Sequence, residues 1–115
     1  MISREVKCME TNYFEHWSGE LERTMPMKVY GHAGKPILFI PCQDGRFYDF
    51  ENFHLTDTFA PWIENGECIV FAIDTIDIET WSDRNNDPGY RARHHEEWIS
   101  YITREVVPFI REYVN

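Results

Sequence analysis

The sequence has few cysteines, no long hydrophobic run and a shortage of positive charge. Its 115 residues include three cysteines, Cys8, Cys42 and Cys68. Because the number is odd and no Cys-x-x-Cys spacing occurs, we expect neither a disulfide framework nor a zinc site, and a reducing cytoplasm is the expected location. The longest apolar runs, 36–42 and 68–73, are too short to span a bilayer. Residues 1–10 lack the apolar segment of a secretory signal.

The charge balance limits the partners. Lysine and arginine together number 11 against 20 aspartates and glutamates, giving a formal net charge of −9. Such a chain repels phosphate backbones and anionic lipid surfaces, so neither nucleic acid nor a membrane is an expected partner. The hydrophobic fraction of 43% and the aromatic fraction of 16% are typical of a globular protein. We therefore predict a single domain over 1–115, with 1–10 as a loosely ordered extension.

The hydrophobic pattern predicts a mixed α/β domain with the element order β-β-β-α-β-α. The segments 13–18 and 21–30 flank a turn and suit an antiparallel hairpin. The runs 37–40 and 69–73 are apolar on both faces, which is typical of parallel strands covered on both sides. A helix near 59–65 is expected between them, with Thr58 as its cap, Pro61 in its first turn and Gly66 ending it.

A long helix is predicted to follow Asp87-Pro88, with Asp87 as the cap and the proline at the first helical position. Pro108 should kink or divide this helix. Apolar residues at helical spacing predict a core-facing stripe of Trp98, Ile102, Val106, Phe109, Ile110 and Val114.

Two loops follow the parallel strands, and open parallel sheets place their functional loops at the carboxyl ends of strands. The first is Pro41 to Phe47, where Asp44-Gly45 allows a sharp bend that presents backbone N–H groups. It is either a cradle for an anion or oxyanion, or an ordinary turn. The second runs from Asp74 to Trp81. Asp74 either lines a site or caps the following turn.

Other candidate sites are weaker. Cys42 at a strand end is either a thiol nucleophile or a packing residue. His94 and His95 point about 100° apart on a helix, so they cannot share a metal ion well; at most a weak His94–Glu97 pair remains, and a solvated helix start is expected. The sequence contains no Gly-x-Ser-x-Gly elbow, phosphate-binding P-loop or Gly-x-Gly-x-x-Gly motif. No hydrolase triad can be assembled from its serines, and no metal or cofactor is predicted.

Several segments together resemble a known enzyme family. They are 27–36 (MKVYGHAGKP), Ile40-Pro41, 44–50 (DGRFYDF), 74–77 (DTID) with Trp81, and 105–111 (EVVPFIR). This pattern is similar to the opening half of the esterase D-like branch of the α/β-hydrolase fold, and the resemblance extends from Tyr13 to Asn115. It implies a three-layer fold in which a hairpin precedes β-α-β-α with parallel strands, and a serine-dependent hydrolysis of carboxylic esters.

The resemblance also implies site residues. The family's oxyanion-hole loop maps onto Cys42, Gln43, Asp44 and Gly45, with the Gln43 N–H as the expected donor. Arg46, Phe47, Asp74 and Trp81 are expected at the pocket rim. The nucleophile, acid and histidine of the family fall beyond the matching segments, so no triad residue maps onto this chain.

The family's sheet order, 1-2-4-3-5, implies that strand 37–40 forms an edge here, because strand five lies beyond the match. An exposed apolar edge favours association. The chain is therefore expected to be a fragment or truncated product of a hydrolase acting on a small ester, or a module that covers this edge by self-association. The alternative function is a non-catalytic α/β module that binds a partner, or a second copy, through the edge.

Overall fold

A computed structural model describes residues 9–115, so most of the extension predicted over 1–10 lies outside the described residues. The chain forms four strands, β1 (Thr11–Ser18), β2 (Arg23–Tyr30), β3 (Lys35–Phe39) and β4 (Cys68–Ile73). Its helices are α1 (Asp49–Asn52), α2 (Leu55–Glu64), α3 (Pro88–Tyr101) and α4 (Val107–Val114). A 3₁₀ turn spans Asp77–Glu79, and a π-helical turn, Ile102–Val106, joins α3 to α4. Within the described part, no helix has the length and hydrophobicity needed to cross a membrane.

The four strands form one mixed sheet in the order β1-β2-β4-β3, which agrees with the order of the first four strands that the resemblance implied. β1 and β2 are the antiparallel hairpin, with Phe14 opposite Met27. β2 is antiparallel to β4, and β3 is parallel to β4, with Ile37 opposite Val70. Among the described strands β3 pairs with β4 alone, and therefore lies at one border of the sheet.

β4 is buried along its whole length, and its alternate residues contribute to two hydrophobic clusters. Ile69, Phe71 and Ile73 join the larger cluster with residues of the hairpin, α3, the π-helical turn and α4. Cys68, Val70 and Ala72 join the smaller cluster with residues of α1 and α2, including Phe50 and Ile63. Because successive strand residues point to opposite faces, both faces of β4 are covered. Burial of each large side chain contributes roughly 1.5–3 kcal/mol.

The structure corrects the predicted start of α2. The helix begins at Leu55, and its N-cap is His54, in the left-handed conformation at φ 61° and without a side-chain capping bond. Thr58 lies inside the helix, where its hydroxyl donates to the His54 carbonyl at 3.3 Å. Pro61 is also inside the helix and not in its first turn. Gly66 follows with φ +76°, the left-handed conformation predicted for the helix end.

The C-terminal helices agree with the sequence except at their end. The Asp87 side chain accepts a hydrogen bond from the Tyr90 N–H at 2.8 Å, and so caps α3 as predicted. Pro108 lies in the first turn of α4, just after the π-helical turn, so the long helix is divided there as expected. Most of the predicted stripe is buried or half-buried, but Val114 is 40% exposed, so its assignment to the core is wrong.

Glu105, in the π-helical turn, connects the C-terminal helices to the hairpin. Its Oε2 accepts hydrogen bonds from the Ser18 hydroxyl at 3.1 Å and the Glu20 N–H at 2.8 Å. The Ser18 hydroxyl, almost fully buried, in turn accepts from the Leu21 N–H. This network holds the hairpin turn against the helical layer, although the residues are more than 80 positions apart.

The turn before β3 requires a glycine at position 34. Gly34 has φ +105°, and a Cβ there would lie 2.3 Å from the Glu67 carbonyl carbon and 2.5 Å from the Gly66 oxygen. Both neighbours are backbone atoms, which cannot rotate away as a side chain could. The turn that starts β3 is thus packed directly against the turn that starts β4.

We expect Gly34→Ala to lower the free energy of unfolding by about 2–4 kcal/mol, because it combines a strained φ with a backbone clash. Gly19→Ala is the matched control, since a Cβ at Gly19 meets nothing within 4 Å. It should change stability by less than about 0.5 kcal/mol. Urea unfolding of both variants measures the difference, and equal stabilities would contradict the close approach of the two turns.

Candidate functional site

A cleft of about 510 Å³ opens where the loops after β3 and β4 meet the start of β2. β3 and β4 are parallel, so their carboxyl ends lie at the same edge of the sheet and their two loops are neighbours. Four of the predicted site residues line this cleft: Asp44, Gly45, Arg46 and Asp74. We call the segment 41–47 the β3 loop and the segment 74–87 the β4 loop.

Asp74 is the main connection between the two loops. It follows β4 directly, its side chain is 9% exposed, and both carboxylate oxygens accept hydrogen bonds from the β3 loop. The Phe47 N–H donates to Oδ1 at 2.7 Å, and Arg46 Nε donates to Oδ2 at 2.9 Å. On its other side, the Asp74 carbonyl accepts from the Trp98 indole at 3.4 Å. A buried carboxylate with charged and neutral donors is therefore fixed between the core and the cleft.

Two further hydrogen bonds join the loops. The Thr75 hydroxyl donates to the Gly45 carbonyl at 3.1 Å, and the Asp44 N–H donates to Asp77 Oδ2 at 3.1 Å. Asp44 has φ 58°, a left-handed conformation that non-glycine residues seldom adopt. The Gly45 N–H closes the turn on the Cys42 carbonyl at 2.7 Å. Hydrogen bonds to residues of the β4 loop therefore hold the turn of the β3 loop in place.

The Gln43 N–H differs from the four N–H groups that follow it in this loop. The N–H groups of Asp44, Gly45, Arg46 and Phe47 all donate hydrogen bonds. Over residues 9–115, no acceptor is found for the Gln43 N–H. The Gln43 side chain donates from Nε2 to the Ser82 hydroxyl at 2.8 Å, which fixes this residue to the β4 loop. Within residues 9–115, the structure therefore leaves two backbone donors at the carboxyl end of β3 without a protein acceptor, the N–H groups of Cys42 and Gln43, and of these two residues Gln43 is the one whose side chain is bonded to the β4 loop.

The remaining predicted rim residues lie in different places. The Arg46 guanidinium carbon is 5.4 Å from the centre of the Tyr48 ring. The Phe47 ring packs against the Tyr13 ring, with ring centres 5.4 Å apart. Trp81 does not line the cleft; it lines a separate pocket and contacts His95, with ring centres 5.1 Å apart. The structure thus brings Arg46 and Asp74 together at the cleft and places Trp81 elsewhere.

An ion pair at the cleft was not anticipated from the sequence. Both terminal nitrogens of Arg23, at the start of β2, donate to the Glu79 carboxylate, one of them at 2.8 Å. The guanidinium of Arg23 holds the pKa of Glu79 below its ordinary value of 4.5. The two residues are 56 positions apart, in a strand and in a 3₁₀ turn, and no local sequence pattern connects them.

The other chemically reactive side chains do not form a catalytic arrangement. Within residues 9–115, no serine hydroxyl is hydrogen-bonded to a histidine, and no group of three metal-binding side chains is found. Cys42 is exposed, whereas burial raises the pKa of the Cys68 thiol. His94 Nδ1 lies 3.1 Å from Glu97 Oε1, as the helical spacing predicted.

We expect Asp74→Ala to lower the free energy of unfolding by about 1–3 kcal/mol, because it removes the acceptor of two hydrogen bonds, one of them from a charged donor. The amides of Arg46 and Phe47 should also lose protection against hydrogen exchange. Asp57→Ala serves as the control, since the Asp57 side chain is 83% exposed. Undiminished protection of the Phe47 amide in Asp74→Ala would show that Asp74 does not hold the β3 loop.

The Arg23–Glu79 pair predicts a pH dependence. Because the folded-state pKa of Glu79 is lowered, its stabilisation is complete above the ordinary pKa of 4.5 and is lost as the pH falls through the folded-state value. Glu79→Gln should cost about 0.5–1 kcal/mol at pH 7, because water screens a pair that is about one-third exposed. It should also flatten the loss of stability below pH ~4.5. Glu112→Gln, at an exposed position, should leave the profile of thermal stability against pH unchanged.

Comparisons with known proteins give matches in structure alone. No known protein-family description matches the sequence. No curated protein matches it either. An uncharacterised protein from Capnocytophaga ochracea superposes with a TM-score of 0.57 at 14% identity, over 91% of this chain and 31% of that protein.

Two serine hydrolases from Staphylococcus aureus also share the fold. The S-formylglutathione hydrolase FrmB superposes with a TM-score of 0.52 at 9% identity. The fluorophosphonate-binding serine hydrolase FphF superposes with a TM-score of 0.51 at 8% identity. Each match covers 84% of this chain and 41% of the hydrolase, so the chain spans well under half the length of these proteins. At such low identity the comparisons establish a mixed α/β fold similar to part of these hydrolases.

Proposed function

We propose that this chain is the part of an α/β-hydrolase-type serine esterase that carries the oxyanion-binding loop. The serine, histidine and acid would come from polypeptide outside these 115 residues. In the complete enzyme, the serine oxygen attacks the ester carbonyl carbon while the histidine takes the hydroxyl proton. The histidine then returns that proton to the departing alcohol, and water releases the acid from the acyl-enzyme by the same steps. The chain described here stabilises the negative oxygen of each tetrahedral intermediate.

The observation that carries the proposal is the Gln43 N–H. Oxyanion holes use rigid backbone donors whose direction is fixed before the reaction. The Gln43 side chain is bonded to Ser82, and the part of the loop that follows Gln43 is held by Asp74, Thr75 and Asp77. Its N–H has no acceptor in the described part of the chain, in contrast to its four successors. It also lies at the end of a parallel strand, where this fold class uses a backbone donor for the oxyanion.

The arrangement of helices supports the same assignment. The two hydrophobic clusters lie on opposite faces of β4, with α3 and α4 on one side and α1 and α2 on the other. Helical residues packed against both faces of β4 support the three-layer arrangement that we propose for the complete sheet. Parallel sheets are covered by helices on both faces, and the pair β3–β4 meets that condition.

The border strand β3 supports the presence of a further strand in the complete protein. Ile37 is 36% exposed and Ile40, which directly follows β3, is 47% exposed. Each such side chain that becomes covered contributes up to roughly 1.5–3 kcal/mol. The larger size of the similar hydrolases is consistent with additional chain at this border.

The exposed border also supports the second candidate, a non-catalytic module that binds a partner or a second copy through β3. An edge strand offers unpaired N–H and C=O groups to another chain. Sedimentation of the 115-residue chain distinguishes the two: a stable dimer that is lost in Ile37→Lys favours the module, whereas a monomer favours the esterase part. A small ester as substrate and a cytoplasmic location stay predictions, as does the absence of nucleic-acid and membrane partners.

Gln43→Pro tests the proposed role of the N–H in the longest polypeptide that the gene encodes. Proline removes the backbone donor, so kcat for p-nitrophenyl acetate should fall by about 10²–10³-fold. Gln43→Ala keeps the N–H and loses the bond to Ser82, so it should lower kcat by less than about tenfold. If Gln43→Pro impairs folding in thermal unfolding, replacing Gln43 by its α-hydroxy analogue removes the same donor with little change in shape.

The 115-residue chain provides the complementary experiment. Neither hydroxyl is hydrogen-bonded to a histidine: that of Ser18 is buried and donates to Glu105, and that of Ser82 accepts from the Gln43 side chain. The isolated chain should therefore neither hydrolyse p-nitrophenyl acetate nor react with a fluorophosphonate. Turnover by this chain that fluorophosphonate blocks, or a full-length protein without esterase activity, would contradict the proposal.

A further inference from the structure

A second pocket, of about 290 Å³, lies between the β4 loop and the first half of α3. We call it the Trp81 pocket; its lining residues are Thr80, Trp81, Pro88, Arg91, Ala92, His95 and Glu96. It shares no lining residue with the cleft at the β3 loop. Its volume is at the small end of the range for ligand pockets, which suits a single ring rather than a large ligand.

The wall of this pocket is mostly aromatic and apolar. The Trp81 side chain is 62% exposed and belongs to neither hydrophobic cluster, so it is not needed to fill the core. Its ring meets the His95 ring at 66°, an edge-to-face arrangement that fixes one side of the indole. Pro88 and Ala92, on α3, supply further apolar surface. A large exposed aromatic face in a concave site is suited to a flat apolar ligand.

Arg91 makes this pocket rigid. Its Nε donates to the Thr80 carbonyl at 2.7 Å, and a terminal nitrogen donates to the Trp81 carbonyl at 2.8 Å. The backbone that carries Trp81 is therefore fixed to α3 before any ligand binds. The lining residues include one arginine and one glutamate, Arg91 and Glu96, whose formal charges cancel. This balance favours a neutral ligand over an ion.

Thr80 adds a polar contact. It is 2% exposed and lines the pocket, and its hydroxyl has no hydrogen-bond partner in the part of the chain that the structure describes. The Thr80 hydroxyl oxygen is buried, so a ligand oxygen reaches it when the Thr80 side chain turns toward the pocket, and the hydrogen bond then satisfies an otherwise unpaired group. A neutral ring with one adjacent oxygen, such as a benzyl alcohol unit, combines the features that the pocket accommodates.

The pocket is connected to the oxyanion loop through one residue. Ser82, next to Trp81, accepts the hydrogen bond from the Gln43 side chain at 2.8 Å. The proposed oxyanion donor and the wall of the Trp81 pocket are thus attached to each other by a short path. This bond connects the pocket wall to the loop that carries the proposed oxyanion donor.

We propose that the Trp81 pocket binds an aryl group of the ester substrate, with the ring against Trp81 and an oxygen near Thr80. This inference rests on the proposed esterase function for the identity of the ligand as a substrate. The presence of the pocket and its preference for aryl alcohols do not depend on catalysis. Binding and hydrolysis therefore test the two proposals separately.

Binding is measured with benzyl alcohol on the isotope-labelled 115-residue chain by NMR. We expect a saturable shift of the Trp81 indole N–H and of the Ala92 amide. Trp81→Ala should weaken binding about tenfold, the upper range for an aromatic pair. Trp17→Ala is the matched control, because Trp17 is 67% exposed on β1 and lies outside the pocket; it should change the Kd by less than about twofold. No saturable shift, or equal Kd values for Trp81→Ala and the parent chain, would overturn the proposal.

Ala92→Phe is a second variant that fills the pocket while retaining Trp81. Ala92 is exposed on α3, so the substitution should preserve the fold, and it should abolish the benzyl alcohol shifts. Unchanged binding in a folded Ala92→Phe chain would also overturn the proposal.

Hydrolysis by the longest encoded polypeptide separates the two proposals. Trp81→Ala should lower kcat/KM about tenfold for benzyl acetate and by less than twofold for methyl acetate. If that polypeptide hydrolyses neither ester while benzyl alcohol still binds at Trp81, the esterase assignment fails and the aryl pocket is supported. If both esters are hydrolysed and Trp81→Ala leaves the ratio of their kcat/KM values unchanged, the pocket assignment is overturned and the esterase assignment is supported.

Discussion

Strand β4 is the constraint on which the rest of the structure depends. All six of its residues are buried, and alternate side chains enter different hydrophobic clusters. A strand with two apolar faces is not stable at a surface, because both faces would be exposed to water. In this fold, helices cover both faces of β4 and strands pair with both of its edges. The hairpin takes one edge through β2, and β3 takes the other in the parallel direction. The parallel pairing then brings the carboxyl ends of β3 and β4 together, which creates the candidate site.

Asp74 connects the hydrophobic core to the candidate site through hydrogen bonds. It directly follows the last buried residue of β4, its carbonyl contacts the core tryptophan Trp98, and its carboxylate holds Arg46 and Phe47. A backbone donor stabilises an oxyanion only if it does not have to reorient during the reaction. The position of residues 46 and 47 of the β3 loop is therefore determined by contacts that begin in the hydrophobic core.

The parts of the structure that follow from local patterns could be predicted. The continuous apolar runs gave β3 and β4 and their parallel pairing, and Asp87-Pro88 gave the start of α3. The start of α2 could not be predicted from the sequence. Its N-cap, His54, adopts a left-handed conformation and makes no side-chain capping bond, so the usual capping pattern of residue types is missing. The site likewise has one part that local sequence predicts and another that it does not. Its loop was found from a strand end followed by Asp-Gly, whereas the Arg23–Glu79 pair and the separate position of Trp81 depend on tertiary contacts.

The chain is acidic overall, and the placement of two of its arginines at the cleft offsets part of that negative charge. With 20 acidic and 11 basic residues, the average surface is unfavourable for a developing negative oxygen. Acidic residues are nevertheless concentrated around the β3 loop, at positions 44, 74, 77 and 79. Two of the scarce arginines are placed there: Arg46 neutralises Asp74 and Arg23 neutralises Glu79, while Asp77 accepts the Asp44 N–H. The carboxylates at positions 74 and 77 hold the loop in shape, and pairing with arginine reduces the opposing field of those at 74 and 79. The proposed oxyanion role would require this combination in an acidic protein, because carboxylates make strong acceptors for backbone N–H groups but repel an anion unless they are paired with a cation.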